Sequence, residues 1–371
     1  MKFSVPSGEF HRVLSLIGAV IPTRSTVAIL DNFLFELKKN ELKVSGTDLD
    51  TSMTVTLNVQ GSKDGKTLVP AKRLLETVRA LPPTDIDFNA DAESRRIVIS
   101  TKSGEYRLTG EDLDAYPSLP NVEAGEHISL DDSAIRRLIT KTSFAVSSDE
   151  LRPAMMGVLF QFKSKEVRSI ATDGHRLVRL VNAKLSSGKT ERELVIPARA
   201  LTLILKSING QQSRLSFTPT HVMFTHGNMT LVSRLIEEKY PNYESVIPLD
   251  NDKKLVVNKN ELLSSVRRTS LYSSSTNHQI RLSLKKNSLT VSAEDIDFGS
   301  DAKETLSCEY SSDPMDIGFN AAYIEGVLSQ IDTDEVTMML SSSTRASIIS
   351  PSTQQEGEDL LMLVMPVRLN A

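Results

Sequence analysis

The sequence predicts an α+β protein of three structurally similar domains, each with two helices packed on antiparallel sheet. Three markers recurring at near-constant spacing carry this reading. Ser45-Gly46-Thr47-Asp48-Leu49-Asp50 returns as Ile170-Ala171-Thr172-Asp173-Gly174-His175 and again as Ser292-Ala293-Glu294-Asp295-Ile296-Asp297, with the aspartates 125 and 122 residues apart. Leu68-Val69-Pro70-Ala71 is answered by Val195-Ile196-Pro197-Ala198 and Gly318-Phe319-Asn320-Ala321, 127 and 123 residues apart. Tyr116-Pro117, Tyr240-Pro241 and Met365-Pro366 then close the units at 124 and 125. A drift of a few residues across three markers argues for copies of one domain, and the period is too long for a solenoid, whose repeats reach about 50 residues. The domains are expected at 1–121, 127–248 and 253–371. The polar stretches 121–126 and 249–253, beside prolines, are the candidate linkers, where few contacts should cross.

Each unit reads as a strand, a helix, several strands, a second helix and more strands. In the first, Phe3 and Val5 alternate before Ser7-Gly8-Glu9, after which Phe10, Val13, Leu14 and Ile17 fall at helical spacing. Ile128 and Leu130 lead in the same way to Ile135, Leu138 and Ile139, and Leu255 and Val257 to Leu262, Leu263 and Val266. The second helices match position for position: Leu201, Ile204, Leu205 and Ile208 against Ile324, Val327, Leu328 and Ile331. Both are stripes that a 3.6-residue turn gathers on one face. Alternating runs such as Leu42-Val44, Met53-Val55-Leu57, Ile97-Ile99 and Leu282-Leu284 read as half-buried antiparallel strands.

Composition narrows the function classes. A chain of 371 residues, 39% hydrophobic and 24% charged, is ordinary for globular domains, and nothing in it argues for disorder. No apolar run reaches the roughly 18 residues that span a bilayer. Met1 to Val5 leads directly into a strand rather than a signal sequence, so a cytoplasmic protein without membrane contact is expected. One cysteine, Cys308, excludes an internal disulfide and a cysteine-based metal site. The net charge of −4 hides a sorting: the helical windows 9–20, 71–81, 134–144, 198–208, 260–270 and 321–331 together carry +7, which leaves −11 elsewhere. Their cations are Arg12, Lys72, Arg73, Arg79, Arg136, Arg137, Lys141, Arg199, Lys206, Arg267 and Arg268, beside the apolar stripes. These are either solvated helix faces or, if the helices share one face, a polyanion-binding surface. With no zinc-finger spacing, glycine-rich phosphate loop or aromatic-interleaved basic run, contact with nucleic acid would be to phosphates.

Three such units, with basic helices and acidic strands, resemble the bacterial DNA polymerase sliding clamps, the beta subunits of the replicative polymerase, along the whole chain. The residues that carry the resemblance are Thr172-Asp173-Gly174-His175-Arg176-Leu177, Tyr240-Pro241-Asn242-Tyr243 leading to Val246-Ile247-Pro248, and Val364-Met365-Pro366-Val367-Arg368-Leu369. The resemblance implies DNA-clamp domains in a ring-forming homodimer with pseudo-sixfold symmetry, helices lining a hole that holds duplex DNA without reading its sequence. It implies partners as well: polymerase subunits, an ATP-driven clamp loader, and other replication and repair proteins bearing short clamp-binding peptides. No cofactor, metal or turnover is implied.

By matching position, the partner-peptide cleft would use Met155, Thr172, Gly174, His175, Arg176, Leu177, Pro241, Val246, Asn320, Tyr323, Val364, Met365, Pro366, Val367, Arg368 and Leu369. Apolar walls with a few polar anchors suit an extended peptide. Ser245 stands where the family often has arginine, and Asn370-Ala371 extends past Leu369. DNA contacts would fall on Arg24, Lys72, Arg73, Arg152 and Arg199, and dimer contacts on Tyr106 and Leu108 meeting Leu271 and Tyr272. Two other readings remain. A three-domain scaffold would bind peptides without encircling DNA, and an enzyme would use Asp173 and His175 with Ser233 or Ser147. The recurrence of Asp173 at Asp48 and Asp295 argues for a turn residue instead.

Overall fold

The computed structural model describes residues 1–371 apart from 23–25, 121, 123–125, 189–190, 211 and 370–371. In the first copy β1 (Lys2–Pro6) feeds α1 (Ser7–Gly18). Then come β2 (Asn32–Lys38), β3 (Glu41–Thr47), β4 (Thr51–Asn58), β5 (Gln60–Lys63) and β6 (Gly65–Pro70), α2 (Ala71–Ala80), and β7 (Asp85–Ala90), β8 (Arg96–Ser100) and β9 (Glu105–Thr109). The second copy repeats this without an equivalent of β5: β10 (Glu126–Asp131), α3 (Asp132–Thr140), β11 (Gly157–Lys163), β12 (Glu166–Thr172), β13 (Arg176–Asn182), β14 (Arg192–Pro197), α4 (Ala198–Ser207), β15 (Gln212–Phe217), β16 (His221–His226) and β17 (Met229–Arg234). The third has β18 (Lys253–Asn258), α5 (Lys259–Ser270), β19 (Gln279–Lys285), β20 (Ser288–Asp295), β21 (Ser300–Tyr310), β22 (Met315–Asn320), α6 (Ala321–Leu328), β23 (Glu335–Leu340), β24 (Ser347–Pro351) and β25 (Glu358–Val364). The α+β repeat of two helices per copy is therefore present element by element.

The stripes are buried as their spacing requires. Phe10, Val13, Leu14 and Ile17 of α1 are all at most 1% exposed, and Phe3 stacks on Phe88 at 4.8 Å while meeting Phe10 edge to face at 6.1 Å. Two expected positions are corrected. Leu205 is only half-buried, because α4 turns Ala200 and Leu203 inward beside Leu201 and Ile204; in α5, Leu263 yields its place to the buried Ser265 and Thr269. In both helices the buried face is rotated about the axis from the stripe that the leucines alone suggest, so Leu205 and Leu263 fall at its margin.

The chain forms two compact units, 1–136 with 199–235, and 137–198 with 236–371. The first holds an eight-stranded sheet in the order β10-β15-β16-β17-β4-β3-β2-β6 and a five-stranded sheet in the order β5-β1-β7-β8-β9. The second holds a twelve-stranded sheet in the order β14-β11-β12-β13-β25-β24-β23-β18-β21-β20-β19-β22. The expectation that few contacts cross between copies is overturned. Within the first unit β4 pairs with β17, and within the second β13 pairs with β25, both antiparallel, so backbone hydrogen bonds join strands of different copies. The third marker is corrected too. Arg234 N–H donates to Asp50 O as Met365 N–H does to His175 O, both at 2.8 Å, so Met365 is the counterpart of Arg234 and not of Tyr240. Among the described residues no helix is long and apolar enough to cross a membrane, and no cluster of His, Cys, Asp and Glu could hold a metal.

Candidate functional site

The recurring aspartate closes a turn in every copy. Asp173 Oδ1 accepts the backbone N–H groups of His175 and Arg176, each at 2.9 Å. Asp48 does the same for Asp50 (3.2 Å) and Thr51 (2.7 Å), and Asp295 for Asp297 (3.1 Å) and Phe298 (3.3 Å). This is the aspartate's usual chemistry in turns. The Asp173 carboxylate is thus committed to the turn, and its second oxygen accepts from Arg176 Nε at 3.0 Å. Gly174 takes φ +89°, a region that carries no penalty for glycine, whereas Leu49 occupies the equivalent place at φ +84°. The imagined nucleophiles are likewise engaged: Ser233 Oγ donates to Arg234 O at 3.1 Å, and Ser147 Oγ accepts the Asp149 N–H at 3.0 Å.

Around this turn the second unit builds a layered stack. The Arg176 guanidinium lies over the Phe144 ring (5.3 Å to the centroid) and the Tyr323 ring (5.1 Å), and His175 stacks on Tyr323 at 5.8 Å and 15°. Arg176 Nε donates to Asp173 Oδ2 at 3.0 Å and Nη2 to Phe144 O at 2.7 Å, so both the position and the plane of the guanidinium are set. Burial, and after it the Asp173 charge, push the Tyr323 phenol above its ordinary value. Asn320 caps α6, its Oδ1 accepting the Ala322 N–H at 2.9 Å, which holds the Tyr323 turn in place.

The chain after β25 completes the site. Met365 N–H donates to His175 O, and Val367 N–H to Gly318 O at 2.9 Å, an isolated antiparallel bridge on the edge of β22. Beside it lies a groove of about 550 Å³ with Val246, Ile247, Pro248, Leu249, Ala346 and Met365 as apolar lining and Ser245, Asp250, Thr344 and Arg345 as polar lining. Val246 is 54%, Met365 39% and Leu249 97% exposed, so the groove presents a cluster of apolar side chains open to an incoming one. Ser245 Oγ donates to Asn242 O at 2.8 Å and so closes the turn that presents Val246.

The other expected cleft residues fall into two groups. Leu177, Thr172 and Val364 are buried and support the wall from behind. Pro241, Pro366, Val367 and Leu369 are half-buried and Arg368 is exposed. Met155 is half-buried in the turn Pro153–Met156, its carbonyl accepting the Ser147 N–H at 2.8 Å. Phe144 and Ala346 were not singled out from sequence: each follows no motif and reaches the site only through packing.

The cations expected to meet DNA separate sharply. Lys72 and Arg73 are exposed on α2 with no ion pair among the described residues. Arg199 is a strut instead: Nε lies 2.6 Å from Asp48 Oδ2, and Nη2 donates to Val20 O at 2.8 Å. Arg152 pairs with Asp149 at 2.8 Å, and Arg24 lies outside the described residues. Of the other helical cations, Arg137 and Lys141 pair with Asp332, Arg267 with Glu325 and Arg268 with Glu304, so part of the sorted charge is neutralised locally.

Of the expected dimer residues Tyr106, Leu271 and Tyr272 are exposed and Leu108 is half-buried. Tyr106 (37% exposed) and Leu108 sit on β9, which among the described residues pairs only with β8, and Leu271 (81%) and Tyr272 (46%) follow α5. In the third copy β21 pairs with β20 through residues 300–307 and, among the described residues, with β18 only through residues 308–310, so most of one edge has no described partner strand.

Residues 1–120, 129–242 and 244–368 match, in order, the N-terminal, central and C-terminal domains of the DNA polymerase III beta subunit. The beta sliding clamp of Pseudomonas aeruginosa is 29% identical over 376 residues, covering 100% of both chains. Among solved structures, the DnaN sliding clamp of Bartonella birtlesii bound to griselimycin superposes with a TM-score of 0.93 at 28% identity, and the DNA polymerase sliding clamp of Bacillus subtilis with 0.92 at 25%, each over 100% of both chains. With every part of the fold accounted for in sequence order, the chain belongs to the DNA polymerase III beta subunit family.

Proposed function

We propose that this chain is a DNA sliding clamp that encircles duplex DNA as a closed homodimeric ring and tethers DNA polymerase III, conferring processivity without catalysing a reaction or needing a cofactor. The observation that carries this reading is the end-to-end match of all three beta-subunit domains. The domains are assigned to 1–121, 127–248 and 253–371. The exposed Lys72 and Arg73, with Arg24, would touch phosphates, and such contacts hold DNA without reading it, so a ring can slide. Arg152 and Arg199 are 46% and 50% exposed and would join these cations, contributing less because Asp149 and Asp48 already offset part of their charge. The two strand edges left open, β9 and β21, with Tyr106, Leu108, Leu271 and Tyr272 nearby, suit pairing between protomers in a closing two-fold arrangement.

The groove between Val246 and Met365, continued by Tyr323, His175 and Arg176, is assigned to short peptides of the polymerase and of other replication and repair proteins. An apolar groove beside an ordered backbone edge takes an extended segment by its side chains and direction. Griselimycin, bound by the related Bartonella clamp, is expected at the same place. A closed ring with no nucleotide-binding motif requires an ATP-driven loader, and the protein works in the cytoplasm. The test is retention on nicked circular DNA after loading, in salt that suppresses phosphate binding. Release only on linearising the circle is expected. Equal loss from circles and linear DNA would refute encirclement and leave a peptide-binding scaffold.

A further inference from the structure

We infer that Gly326 is a positioning residue of the cleft: the absence of its side chain lets the Arg176 guanidinium enter the stack that holds Tyr323 and His175. This rests on the reading of the Tyr323 side as a partner site. Gly326 is the sixth residue of α6, and its backbone is not in the left-handed region. Glycine weakens a helix there relative to alanine, so the backbone gives no reason for it. The surroundings do. A Cβ at Gly326 would lie 2.9 Å from Arg176 Nη1 and 3.5 Å from two atoms of the Phe144 ring.

An arginine tip is usually free to step aside, but this one is not. Its Nε and Nη2 are committed to Asp173 and to Phe144 O, and aromatic rings lie over it at 5.3 and 5.1 Å. A displaced Nη1 therefore tilts the whole plane, and the tilt passes to Tyr323 and from there to the exposed His175. The first unit supplies an internal comparison. The marker spacing of 123 residues puts Leu203 at the position equivalent to Gly326, and Leu203 is buried at 3%. There the guanidinium that reaches the equivalent carboxylate, Asp48, and the carbonyl of Val20 comes from Arg199 in the first turn of α4. It does not cross that helix, and a large side chain fits. The helix is open only where the guanidinium must pass over it.

The test uses the full-length chain, griselimycin as the probe and isothermal titration. Gly326→Ala should bind about tenfold more weakly, Arg176→Met should also bind more weakly, and the double variant should bind no worse than Arg176→Met alone. A packing role confined to the helix predicts the opposite: unchanged affinity and, from better helix propensity, an unchanged or raised melting temperature. The His175 ring resonance, shifted by its stacking on Tyr323, should move in Gly326→Ala. Wild-type affinity in Gly326→Ala, or full additivity with Arg176→Met, would overturn the proposal. If the wild-type chain itself fails to bind griselimycin, the cleft reading falls separately, and an unmoved His175 resonance in Gly326→Ala would then overturn the positioning role as well.

Discussion

Replacing Arg137 by methionine should destabilise the second unit by about 3 kcal/mol, the lower end of the range for removing one partner of a buried ion pair. Arg137 Nε lies 2.7 Å from both oxygens of Glu358, Nη2 2.7 Å from Glu358 Oε2, and Nη1 2.8 Å from Asp332 Oδ2. The Glu358 side chain is only 6% exposed, so without the guanidinium its charge is left in the interior with the Asn182 amide, at 3.1 Å, as donor. Asp332 suffers less, since it is 46% exposed and keeps Lys141 Nζ at 2.6 Å. The lower end applies because the Arg137 side chain retains 22% exposure and water can reach the vacated space. The assay is hydrogen exchange of α3 and β25 amides together with urea unfolding, because a multidomain chain need not unfold in two states. Arg137→Met with Glu358→Met should return to within about 1 kcal/mol of wild type, as an apolar pair of similar volume often matches a buried ion pair. A single variant within about 0.5 kcal/mol of wild type would contradict this account, since it would mean that Glu358 is not desolvated at all.

Asp332 sits below the ordinary carboxyl value: burial opposes this, but hydrogen bonds from Lys141 and Arg137 outweigh it. A carboxyl depressed on folding contributes stability above about pH 4 that is lost as pH falls through its folded value, so Asp332→Asn should flatten the acid side of the melting profile, and an unchanged profile counts against the pair. Lys72→Ala with Arg73→Ala should lower the salt slope of DNA binding by about one for each phosphate no longer neutralised, whereas Arg199→Ala should lower the melting temperature and leave that slope nearly unchanged. A larger drop in slope for Arg199→Ala than for the α2 variants would reverse the assignment. Leu271→Asp should give monomers in sedimentation at concentrations where the wild type is dimeric; a persistent dimer would move the interface elsewhere.

The cleft was half legible. The turn Thr172 to Leu177 and the segment Val364 to Leu369 were visible as sequence, yet nothing local says that Met365 N–H meets His175 O or that Phe144 covers Arg176. The charge sorting was read correctly as composition and too generously as surface: Arg199 and Arg137 carry the same formal charge as Lys72, but each has a carboxylate waiting in three dimensions, Glu358 lying 221 residues from Arg137. Leu205 and Leu263 fall at the margin of their helices' buried faces because spacing along the chain shows that a helix is amphipathic, while the packing neighbours set the phase of the arc that is buried.

From sequence alone came the three copies and the turn aspartates at 48, 173 and 295, because their markers recur 122 to 127 residues apart, and the two helices in each copy with the strand alternation, because backbone geometry repeats every 3.6 or two residues. Three-dimensional packing decided that β4 pairs with β17 and β13 with β25, which cations stay free, and that a missing side chain at Gly326 makes room for Arg176. These depend on which groups compete for the same space and the same counter-charge, and that competition has no period along the chain.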